Sequence, residues 1–457
     1  MKSPLKIWLC AWLCTAGWPA SIIADQITNA RLALDQPVHT IALQPDGKVV
    51  IGGDFTVVAG AARGHVARLN ADGTTDFTFL NNLAGANASV YSTVLAADGK
   101  LLIAGLFRSV NGFPQVGLAR LNTNGFLDMS FNAVTGSAPF AVQADGKLPV
   151  GTALLSGDGI HDSLFRLNVN GTRDTNWPVA VVNGTISAIV QQTDGKIIIG
   201  GTASVNGTPR QGLARLNTNG VVDATFLNGM SGVPGLINCI TLQPDGKVLV
   251  GGYFFFADGV NRTRIARLNT DGSLDTTFQN GMAGADGEVE AIVLQPDGKV
   301  LMGGYFRSIN NTPRLGIARL NTDGSVDDSF QNGMAGADLP IVLALALQPD
   351  GKIIIGGAFT AINGAPRYYI ARLNPDGTVD NSFQNGGRPL LSDASIQSNH
   401  FQFQITGQSN QQIIVEASTN LSNWLPLATN TLSSGTLPFT DATPANFRMR
   451  FYRARAQ

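Results

Sequence analysis

The stretch LQPDGKVLVGG, residues 242–252, contains the feature that decides the fold. Its core, DGK, occurs seven times, with aspartates at Asp46, Asp98, Asp145, Asp194, Asp245, Asp297 and Asp350. Successive aspartates are 52, 47, 49, 51, 52 and 53 residues apart, and the other two lysines are Lys2 and Lys6. A residue type kept almost wholly for one tripeptide indicates an internal repeat of about 50 residues. The seven copies are called units 1 to 7 below.

Each unit carries four apolar segments separated by turn signals. In unit 5 they are LINCITLQ, KVLVGGYFFF, TRIARLN and SLDTTF. Between the first two, Pro244 sets φ, Asp245 tolerates the next turn position and Gly246 supplies a positive φ. This chemistry predicts a type I turn with a glycine bulge, closing a hairpin with a three-residue loop. The join before the fourth segment, NTDG, favours a similar turn.

The second segment is apolar on both of its alternating faces. In KVLVGGYF, Val248, Val250 and Phe254 point one way, and Leu249 and Tyr253 point the other. A strand of this kind must be covered on both sides. Four antiparallel strands per unit and seven units predict an all-β, seven-bladed β-propeller, in which each blade is stacked between two neighbours. A parallel β-solenoid is the alternative, although its coils are usually much shorter.

Two further features concern how the units meet. The Gly251-Gly252 and Gly356-Gly357 pairs predict strands that approach one another closely. Residues 30–38, ARLALDQPV, echo the third and fourth segments with the turn deleted. They would supply an outer strand to the last unit, yet that unit already has TVDNSF, residues 378–383. The sequence leaves open how the ring closes.

The unit LQPDGKVLVGG…ARLNTDGSLDTTF resembles the bacterial delta-60 repeat, over roughly residues 30–387. The resemblance implies a β-propeller and an extracytoplasmic bacterial setting. It implies no activity.

The composition excludes some classes of partner. Charged residues make up 14% of the chain and the net charge is −1, which does not suggest a nucleic-acid-binding protein or an anionic membrane surface. The chain has 53 glycines but only three glutamates, Glu288, Glu290 and Glu416. Such a composition is typical of strands and turns.

Residues 1–24 are expected to be a secretory signal peptide. Lys2 and Lys6 precede an apolar run, residues 7–16, and Ile22 and Ala24 suit a cleavage site after residue 24. A short membrane anchor is the alternative. We therefore expect a secreted or extracytoplasmic protein with no transmembrane segment in the mature chain. Cleavage would leave Cys239 as the one cysteine, which excludes an internal disulfide.

The repeat stops near residue 390, so the propeller is predicted over residues 25–390. Residues 391–457 read as alternating strands, as in HFQFQITG, and predict a small C-terminal β-sandwich-like module. Through VEASTNLSNW and FYRA this segment resembles modules at the end of secreted bacterial repeat proteins.

No catalytic constellation is evident in the sequence. The histidines His39, His65, His161 and His400 fall in different units or positions, so no cluster is expected. We expect no catalytic residue, no metal and no cofactor.

Each unit also has an aspartate in its fourth segment and an arginine in its third. The aspartates are Asp76, Asp128, Asp174, Asp223, Asp275, Asp327 and Asp380, and the arginines are Arg68, Arg120, Arg166, Arg215, Arg267, Arg319 and Arg372. Calcium binding or paired carboxylates for glycoside chemistry would use such aspartates. Seven matching arginines favour one structural ion pair per blade, within or between blades. The lysines are expected to form a ring of positive charge, each offset by the adjacent aspartate.

Alternating strands divide the turns between two faces. The DGK and NTDG turns lie on one face, and the Asn-Gly loops with the longer connections lie on the other, which varies between units. Ligand recognition is expected on the variable face. The weak candidates are aromatic residues that could stack on sugars or peptides: Tyr253, Phe255, Tyr305, Tyr368 and Tyr369. If buried, they would be blade packing.

Unit 3 departs from the repeat. Pro149 enters its second segment, the Gly-Gly pair is missing, and Trp177 replaces the phenylalanine of the fourth segment. Erosion of this blade or a specific role would both explain these changes.

The function favoured by these observations is a secreted, non-enzymatic, monomeric scaffold for binding or surface interaction. The expected partner is an extracellular glycan, a peptide or an envelope component. The alternative is a hydrolase or lyase that acts on extracellular polysaccharide with carboxylates in the propeller funnel. A third possibility is an adhesin whose C-terminal module docks to the envelope. A pocket with two close, unpaired carboxylates would favour the enzyme.

Overall fold

The computed structural model describes twelve stretches of the chain, and all regular structure in them is β-strand. They are residues 9–12, 34–59, 61–133, 139–156, 159–331, 333–383, 390–397, 400–406, 411–419, 423–432, 436–441 and 449–456. The prediction of an all-β chain is therefore confirmed for these residues. No helix in them is long and apolar enough to cross a membrane.

The first three segments pair in an antiparallel sheet in every unit but unit 3, where only the second and third form strands. The first strands are β2 (Val38–Leu43), β7 (Val90–Leu95), β14 (Ala180–Gln191), β17 (Gly235–Leu242), β22 (Val289–Leu294) and β27 (Val342–Leu347). The second strands are β3 (Val49–Gly53), β8 (Leu101–Gly105), β12 (Leu148–Ser156), β15 (Ile197–Val205), β18 (Val248–Phe254), β23 (Val300–Gly304) and β28 (Ile353–Gly357). The third strands are β6 (Val66–Leu69), β11 (Leu118–Leu121), β13 (Gly159–Leu167), β16 (Thr208–Leu216), β21 (Ile265–Leu268), β26 (Ile317–Leu320) and β31 (Ile370–Leu373).

Five units add a short hairpin between the second and third strands. These hairpins are β4 (Val57–Val58) with β5 (Ala61–Ala62), β9 (Ser109–Val110) with β10 (Phe113–Pro114), β19 (Phe256–Ala257) with β20 (Val260–Asn261), β24 (Ser308–Ile309) with β25 (Thr312–Pro313), and β29 (Ala361–Ile362) with β30 (Ala365–Pro366). Each lies at the end of the sheet opposite its DGK turn, because alternate connections of an antiparallel sheet fall at opposite ends.

The DGK turns have the predicted geometry. In unit 5, Gly246 has φ +82° and its amide donates to the Gln243 carbonyl at 3.0 Å. The Gln243 amide donates to the Lys247 carbonyl at 2.9 Å, and the Asp245 carboxylate accepts the Lys247 amide at 3.1 Å. Glycine is required here because its φ lies in the left-handed region.

The fourth segment does not form the predicted strand, so the expectation of four strands per blade is wrong for the described residues. In unit 5 it makes one bridge, Leu268 with Leu274, and then bends. The bend follows from Asp275, whose carboxylate accepts the Thr277 amide at 3.0 Å in a local side-chain turn. The Phe278 amide donates to the Asp275 carbonyl, and the Phe278 ring is fully buried.

Neighbouring units share their cores, as the double-sided apolar pattern predicts. All five residues of β3, β8, β23 and β28 are buried. One core joins Val38 and Ile51 of unit 1 to Ile354 and Phe383 of unit 7. Burying an aromatic or aliphatic side chain of this size stabilises the fold by about 1.5–3 kcal/mol.

The Gly-Gly pairs mark the closest approaches, as predicted. A Cβ on Gly251 would lie 2.6 Å from Val289 Cγ1 in the next unit, and one on Gly252 would lie 2.1 Å from the Leu236 carbonyl oxygen. A side chain at position 251 would push two sheets apart, and one at position 252 would collide with the paired strand of its own sheet, which explains the glycines physically.

Residues 34–38 do not act as an outer strand of the last unit. Leu34 bridges Val58, and the Asp35 carboxylate accepts the Thr56 and Val57 amides, so this segment completes unit 1 itself. Units 1 and 7 instead meet through β2, which contacts β27 and β28. The Arg372 guanidinium of unit 7 also donates to the Ala71 carbonyl of unit 1 at 2.6 Å.

Units 3 and 4 are joined in one five-stranded sheet, β12-β13-β14-β15-β16. The start of β14 pairs with β13, and its end pairs with β15. The first segment of unit 3 makes a single bridge, Phe140 with Val150.

The C-terminal part forms two antiparallel sheets. One has the order β32 (Leu390–Gln397), β33 (His400–Thr406), β36 (Thr436–Asp441). The other has the order β1 (Leu9–Trp12), β37 (Met449–Ala456), β34 (Gln411–Ser418), β35 (Leu425–Leu432). Residues of both sheets, including Phe403 and Tyr452, share one core. The predicted half-buried face of FQFQI, with Phe401, Phe403 and Ile405 inward, is confirmed.

Candidate functional site on the face opposite the DGK turns

The repeated aspartates at the DGK end are occupied by their own units. Asp275 Oδ2 accepts hydrogen bonds from Lys247 Nζ and Arg267 Nε, both at 2.8 Å, and Oδ1 accepts the Thr277 hydroxyl at 2.6 Å. The lysine and arginine pair with the fourth-segment aspartate in all seven units. The structural interpretation is therefore confirmed. Among the described residues, no three His, Cys, Asp or Glu side chains form a metal-binding group.

The lysines do not pair with the adjacent DGK aspartates, contrary to the predicted ring of charge. The adjacent aspartate accepts the lysine backbone amide, whereas the lysine ammonium reaches the buried aspartate 28 residues later, as Lys247 reaches Asp275. The tripeptide thus combines a turn with one arm of an ion triad.

These contacts keep the aspartates ionised. Burial alone would raise the pKa of Asp275, but hydrogen bonds from Lys247 and Thr277 and then from Arg267 outweigh it and hold the pKa well below the usual range. In unit 3 the Lys147 hydrogen bond is the main cause that lowers the pKa of Asp174 to about 2. A carboxylate fixed in this way is a structural element, not an acid or base poised near neutral pH.

The same arginines link consecutive units. Arg267 Nη1 donates to the Thr322 carbonyl of the next unit at 2.7 Å. The equivalent contacts are Arg68 to Thr123, Arg120 to Val169, Arg215 to Thr270, Arg319 to Pro375 and Arg372 to Ala71. The predicted ion pair is thus within a unit, and the bond between units goes to backbone.

Unit 3 makes its hydrogen bond to the next unit through a different residue, so its changes are not simply a loss of function in the repeat. Arg166 Nη1 contacts Gln143 Oε1 at 3.4 Å, and the indole N–H of Trp177 donates to the Thr218 carbonyl at 3.2 Å. Thr218 occupies the position whose carbonyl accepts the arginine hydrogen bond in the other units, as Thr270 accepts from Arg215. Trp177 is therefore the residue that keeps the link, since phenylalanine has no donor.

The opposite face repeats its backbone but not its side chains. The residue three positions before the third-strand arginine has a positive φ in units 1, 2, 4, 5, 6 and 7, and it is glycine in units 2, 4 and 6, at Gly117, Gly212 and Gly316. In units 1, 5 and 7 the same position holds His65, Arg264 and Tyr369, with φ between 59° and 68°. Left-handed non-glycine residues cost of order 1–3 kcal/mol and gather at functional sites.

The bulges of the first strands give a second set of varied positions. In β22 the register shifts between Val289 and Ala291, so Glu290 is the bulged residue. The equivalent bulged residues are His39, Tyr91, Asn238 and Leu343. Neighbouring first strands contact each other in five places, β2 with β7 and β27, β17 with β14 and β22, and β22 with β27. Bulges often re-aim side chains next to active sites.

The aromatic candidates separate into two groups. Tyr253, Phe255 and Tyr305 are more than 40% exposed, and the Tyr253 and Phe255 rings meet edge to face with centroids 5.7 Å apart. Tyr368 and Tyr369 are partly buried in unit 7, and Tyr369 packs against the core between units 7 and 1. The structure brings the first three together around units 5 and 6.

A cavity of about 510 Å³ opens between units 5 and 6. Its lining consists of Tyr253, Arg264, Asp286, Gly287, Glu288 and Tyr305. The Arg264 guanidinium lies 3.9 Å from the Tyr253 ring centroid and 4.1 Å from that of Phe255, and the residue is only 5% exposed. This region is called the unit 5–6 pocket below.

Glu288 and Glu290 were missed as candidates, although they are two of the three glutamates in the chain. Asn238 donates to Glu290 Oε1 at 2.9 Å, and Glu288 lines the pocket. Burial and then the charge and hydrogen bond of Glu288 raise the pKa of Glu290 to about 7. Burial, followed by the two glutamate charges, also raises the pKa of Tyr305. The rarity of glutamate was the available signal.

Two of the histidines, His39 and His65 of unit 1, act on the same carboxylate, that of Asp54. His39 Nε2 lies 2.9 Å from Asp54 Oδ2, and the His39 ring meets the Tyr91 ring edge to face at 4.9 Å. Burial alone would raise the pKa of Asp54, but Ser89, His39 and the nearby His65 lower it. His400 lies on β33, and the side chain of His161 lies outside the described part of the structure.

Comparison with known proteins identifies the repeat. A family described as "Domain of unknown function (DUF5122) beta-propeller" matches residues 44–79, 96–131, 192–226, 243–278, 295–330 and 348–383. These are units 1, 2 and 4 to 7, and unit 3 lies outside the matches. The comparison with curated proteins found no match.

Two of the solved structures that match share little sequence identity with this chain. The crystal structure of Sqt1 from Chaetomium thermophilum is 15% identical with a TM-score of 0.38, and the match covers 83% of this chain and 93% of that one. A glycoside hydrolase is 13% identical with a TM-score of 0.28, and the match covers 94% and 97%. The six family matches, together with the repeated antiparallel sheets, identify this chain as a β-propeller repeat protein.

Proposed function

We propose that the protein is a secreted, non-enzymatic, seven-bladed β-propeller that binds an extracellular glycan in the unit 5–6 pocket. The observation that carries the proposal is this pocket, where two tyrosine rings, an arginine and the carboxyl groups of Asp286 and Glu288 line one cavity. Concave sites with aromatic walls and a few placed polar groups are the usual form of ligand sites.

The chemistry of the pocket suits a sugar better than an apolar ligand. Tyr253 and Tyr305 offer ring surfaces on which a sugar ring can pack, and Glu288 and Arg264 offer acceptors and donors for hydroxyl groups. A cavity of about 510 Å³ has room for one or two sugar rings. A peptide or another envelope component would be recognised by different contacts and is an outcome of the test below.

Seven blades are supported by the seven DGK turns, by the seven ion triads and by the contacts between units 1 and 7. The proposed blades are of the delta-60 type. We assign residues 391–457 to a β-sandwich-like module, because the two C-terminal sheets contribute side chains to one core.

Secretion rests on residues 1–24 as a signal peptide, within which the described residues 9–12 pair with β37. Edman sequencing of the exported protein is expected to begin at Asp25. A mature chain that still begins at Met1 would contradict secretion by this route. A monomer is expected in solution by light scattering.

Polysaccharide hydrolysis is the second candidate, because the pocket holds two close carboxyl groups. Glycosidases separate their two carboxyl groups by about 5 Å or more, to leave room for a sugar carbon or a water. Of the two carboxyl groups that line the pocket, Asp286 and Glu288, the Asp286 carboxylate already accepts the Arg307 and Ser308 amides and the Ser308 hydroxyl, which favours binding over this hydrolysis.

A glycan array followed by calorimetry tests the proposal, with a hydrolase panel in parallel. Tyr305→Ala is expected to weaken binding about tenfold or more, because it removes a stacking surface. Tyr368→Ala in unit 7 is the matched control and should leave affinity unchanged. No glycan binding, or binding insensitive to Tyr305→Ala, would overturn the proposal. Turnover on the panel would favour the enzyme.

A further inference from the structure

We infer that the glycan continues beyond the unit 5–6 pocket onto the surface of unit 5, so the protein binds an internal segment of a linear polysaccharide. The inference rests on the proposed function and specifies the form of its ligand. It is argued from three exposed side chains beside the pocket, which are called the apolar strip below: Leu236, Tyr253 and Phe255.

The apolar strip is continuous with the pocket. Tyr253 belongs to both, because it lines the cavity and its ring meets the Phe255 ring edge to face with centroids 5.7 Å apart. Leu236 is the cross-strand partner of Tyr253 in the β17–β18 pair. Directly paired residues of an antiparallel sheet lie on the same face. The strip therefore extends the aromatic wall of the pocket over unit 5.

The strip is specific to unit 5. Its three side chains are 42–58% exposed. At the position of Phe255, units 1, 2, 4, 6 and 7 have polar residues: Thr56, Arg108, Ser204, Arg307 and Thr360. The fold of a unit does not need an aromatic ring at this position, since five units form without one. Exposed apolar side chains gathered in one place mark an interaction site.

Arg264 holds the two rings of the strip in place. Its guanidinium lies 3.9 Å from the Tyr253 ring centroid and 4.1 Å from that of Phe255. Its Nη1 also donates to the Phe254 carbonyl at 3.1 Å, which fixes the guanidinium itself. Side chains that are ordered before a ligand arrives lose less conformational freedom on binding. Arg264 is therefore a positioning residue for the strip.

The size of the strip excludes a large partner. At ~200 Å² per aromatic side chain, the rings of the strip and of Tyr305, with Leu236, offer about 350 Å² of apolar surface. A standard protein interface covers about 800 Å² on each partner. A stable complex with a second copy of this chain or with another folded protein would therefore need much more surface than the strip provides.

A peptide that adds a strand is also unsuited to the strip, because the backbone beside it is already paired. The Gly252 amide donates to the Arg264 carbonyl at 3.1 Å. The Phe255 carbonyl accepts the Arg262 amide at 2.9 Å. Strand addition needs a free sheet edge. A sugar chain needs none, since it offers apolar C–H faces to the rings and hydroxyl groups to the polar side chains of the pocket.

The pocket alone is too short for such a chain. Its volume of about 510 Å³ has room for one or two sugar rings. The Phe255 ring adds a contact beyond the wall of the cavity. A ligand that occupies both therefore spans about three sugar units or more.

The experiment uses the full chain and two series of β-1,4-linked oligosaccharides, one of glucose and one of N-acetylglucosamine, with two, four and six units. In at least one series the tetramer is expected to bind about tenfold more tightly than the dimer by calorimetry, because it makes the further ring contact. Phe255→Thr should weaken tetramer binding about tenfold and leave dimer binding within about twofold. Units 1 and 7 already have threonine there, at Thr56 and Thr360, so the variant should fold.

Phe113→Thr is the matched control, because Phe113 is a similarly exposed ring on the hairpin of unit 2. It should change no affinity. Affinity that does not rise with chain length, or an equal loss for dimer and tetramer in Phe255→Thr, would overturn the chain assignment and leave the proposed function standing. A dimer of the protein that Phe255→Thr dissociates in light scattering would assign the strip to a second copy and overturn the inference. Failure of both series would also overturn it, and a blank glycan array beside that failure would remove the proposed function as well.

Discussion

The DGK end of the strands repeats its backbone and its side chains, whereas the opposite end repeats only its backbone. At the DGK end every unit has the same lysine, arginine and aspartate triad. At the opposite end one backbone position holds Gly117, His65 or Arg264, all with positive φ. The packing of successive units therefore demands the triads but leaves the other face free to differ between units.

Breaking a triad should have the largest effect. Asp275→Asn removes the negative charge that Lys247 and Arg267 share, and leaves the buried guanidinium without its ion partner. We expect the free energy of unfolding to fall by about 3–5 kcal/mol. Chemical denaturation at pH 7 measures it.

The control for that change is Asp245→Asn, which alters the exposed aspartate of the DGK turn in the same unit. It should cost less than about 1 kcal/mol, because its carboxylate accepts one backbone amide at the surface. Equal losses for the two variants would mean that the triad is not what holds this end together.

The triads also set the acid sensitivity of the fold. Each aspartate has a folded pKa below its ordinary value of 3.8, so the stability that it contributes is present above that value and is lost as the pH falls through the folded pKa. Wild-type stability should decline steeply below about pH 4. In Asp275→Asn that decline should be shallower, because one of the titrating groups is gone.

Glu290 on the variable face should show the opposite dependence. Its folded pKa is raised from 4.5 to about 7, so ionisation costs the folded state nothing below pH 4.5 and the full penalty above about pH 7. Glu290→Gln should therefore stabilise the protein at pH 8 by about 2 kcal/mol, after allowance for solvent screening, and have little effect at pH 4. Thermal unfolding at the two pH values checks this. A loss of stability at pH 8 would contradict the raised pKa of Glu290.

Unit 3 tests whether the link between units matters more than the consensus residue. Trp177→Phe restores the residue found in the other units but leaves the Thr218 carbonyl without its indole donor. We expect a loss of about 1–2 kcal/mol. Phe226 is the equivalent residue of unit 4. There Arg215 donates the hydrogen bond to the next unit, so a phenylalanine ring without a donor is sufficient. An increase in melting temperature for Trp177→Phe would show that unit 3 is simply eroded.

Arg264→Gly should have the smallest effect on stability and a large one on binding. Glycine relieves the left-handed φ of 68°, while the contacts with Tyr253 and Phe255 are lost, so the two changes should cancel to within about 1 kcal/mol. Loss of glycan binding with an unchanged melting temperature is the expected pair of results. Gly316→Ala, at the same position of unit 6, should destabilise without this selective loss of binding.

The sequence predicted the strands, the turns and the Arg–Asp pairs because each depends on local or strictly repeated features. It overestimated the fourth strand, since the side chain of Asp275 bends the chain where an apolar pattern suggested extension. It also left open whether Trp177 marks erosion or a specific role, because the Thr218 carbonyl that it reaches lies 41 residues away.

By itself, then, the sequence determined the repeat: a Pro-Asp-Gly turn and an apolar strand form wherever that local order occurs, since their bonds span only a few residues. Only the tertiary structure decided the pocket. Tyr253 and Arg264 of unit 5 and Glu288 and Tyr305 of unit 6 lie far apart in the chain, and the stacking of two sheets brings them together. The bulge at Glu290 of unit 6 also came only from the structure, because a one-residue shift in register re-aims a side chain without leaving a mark in the apolar pattern.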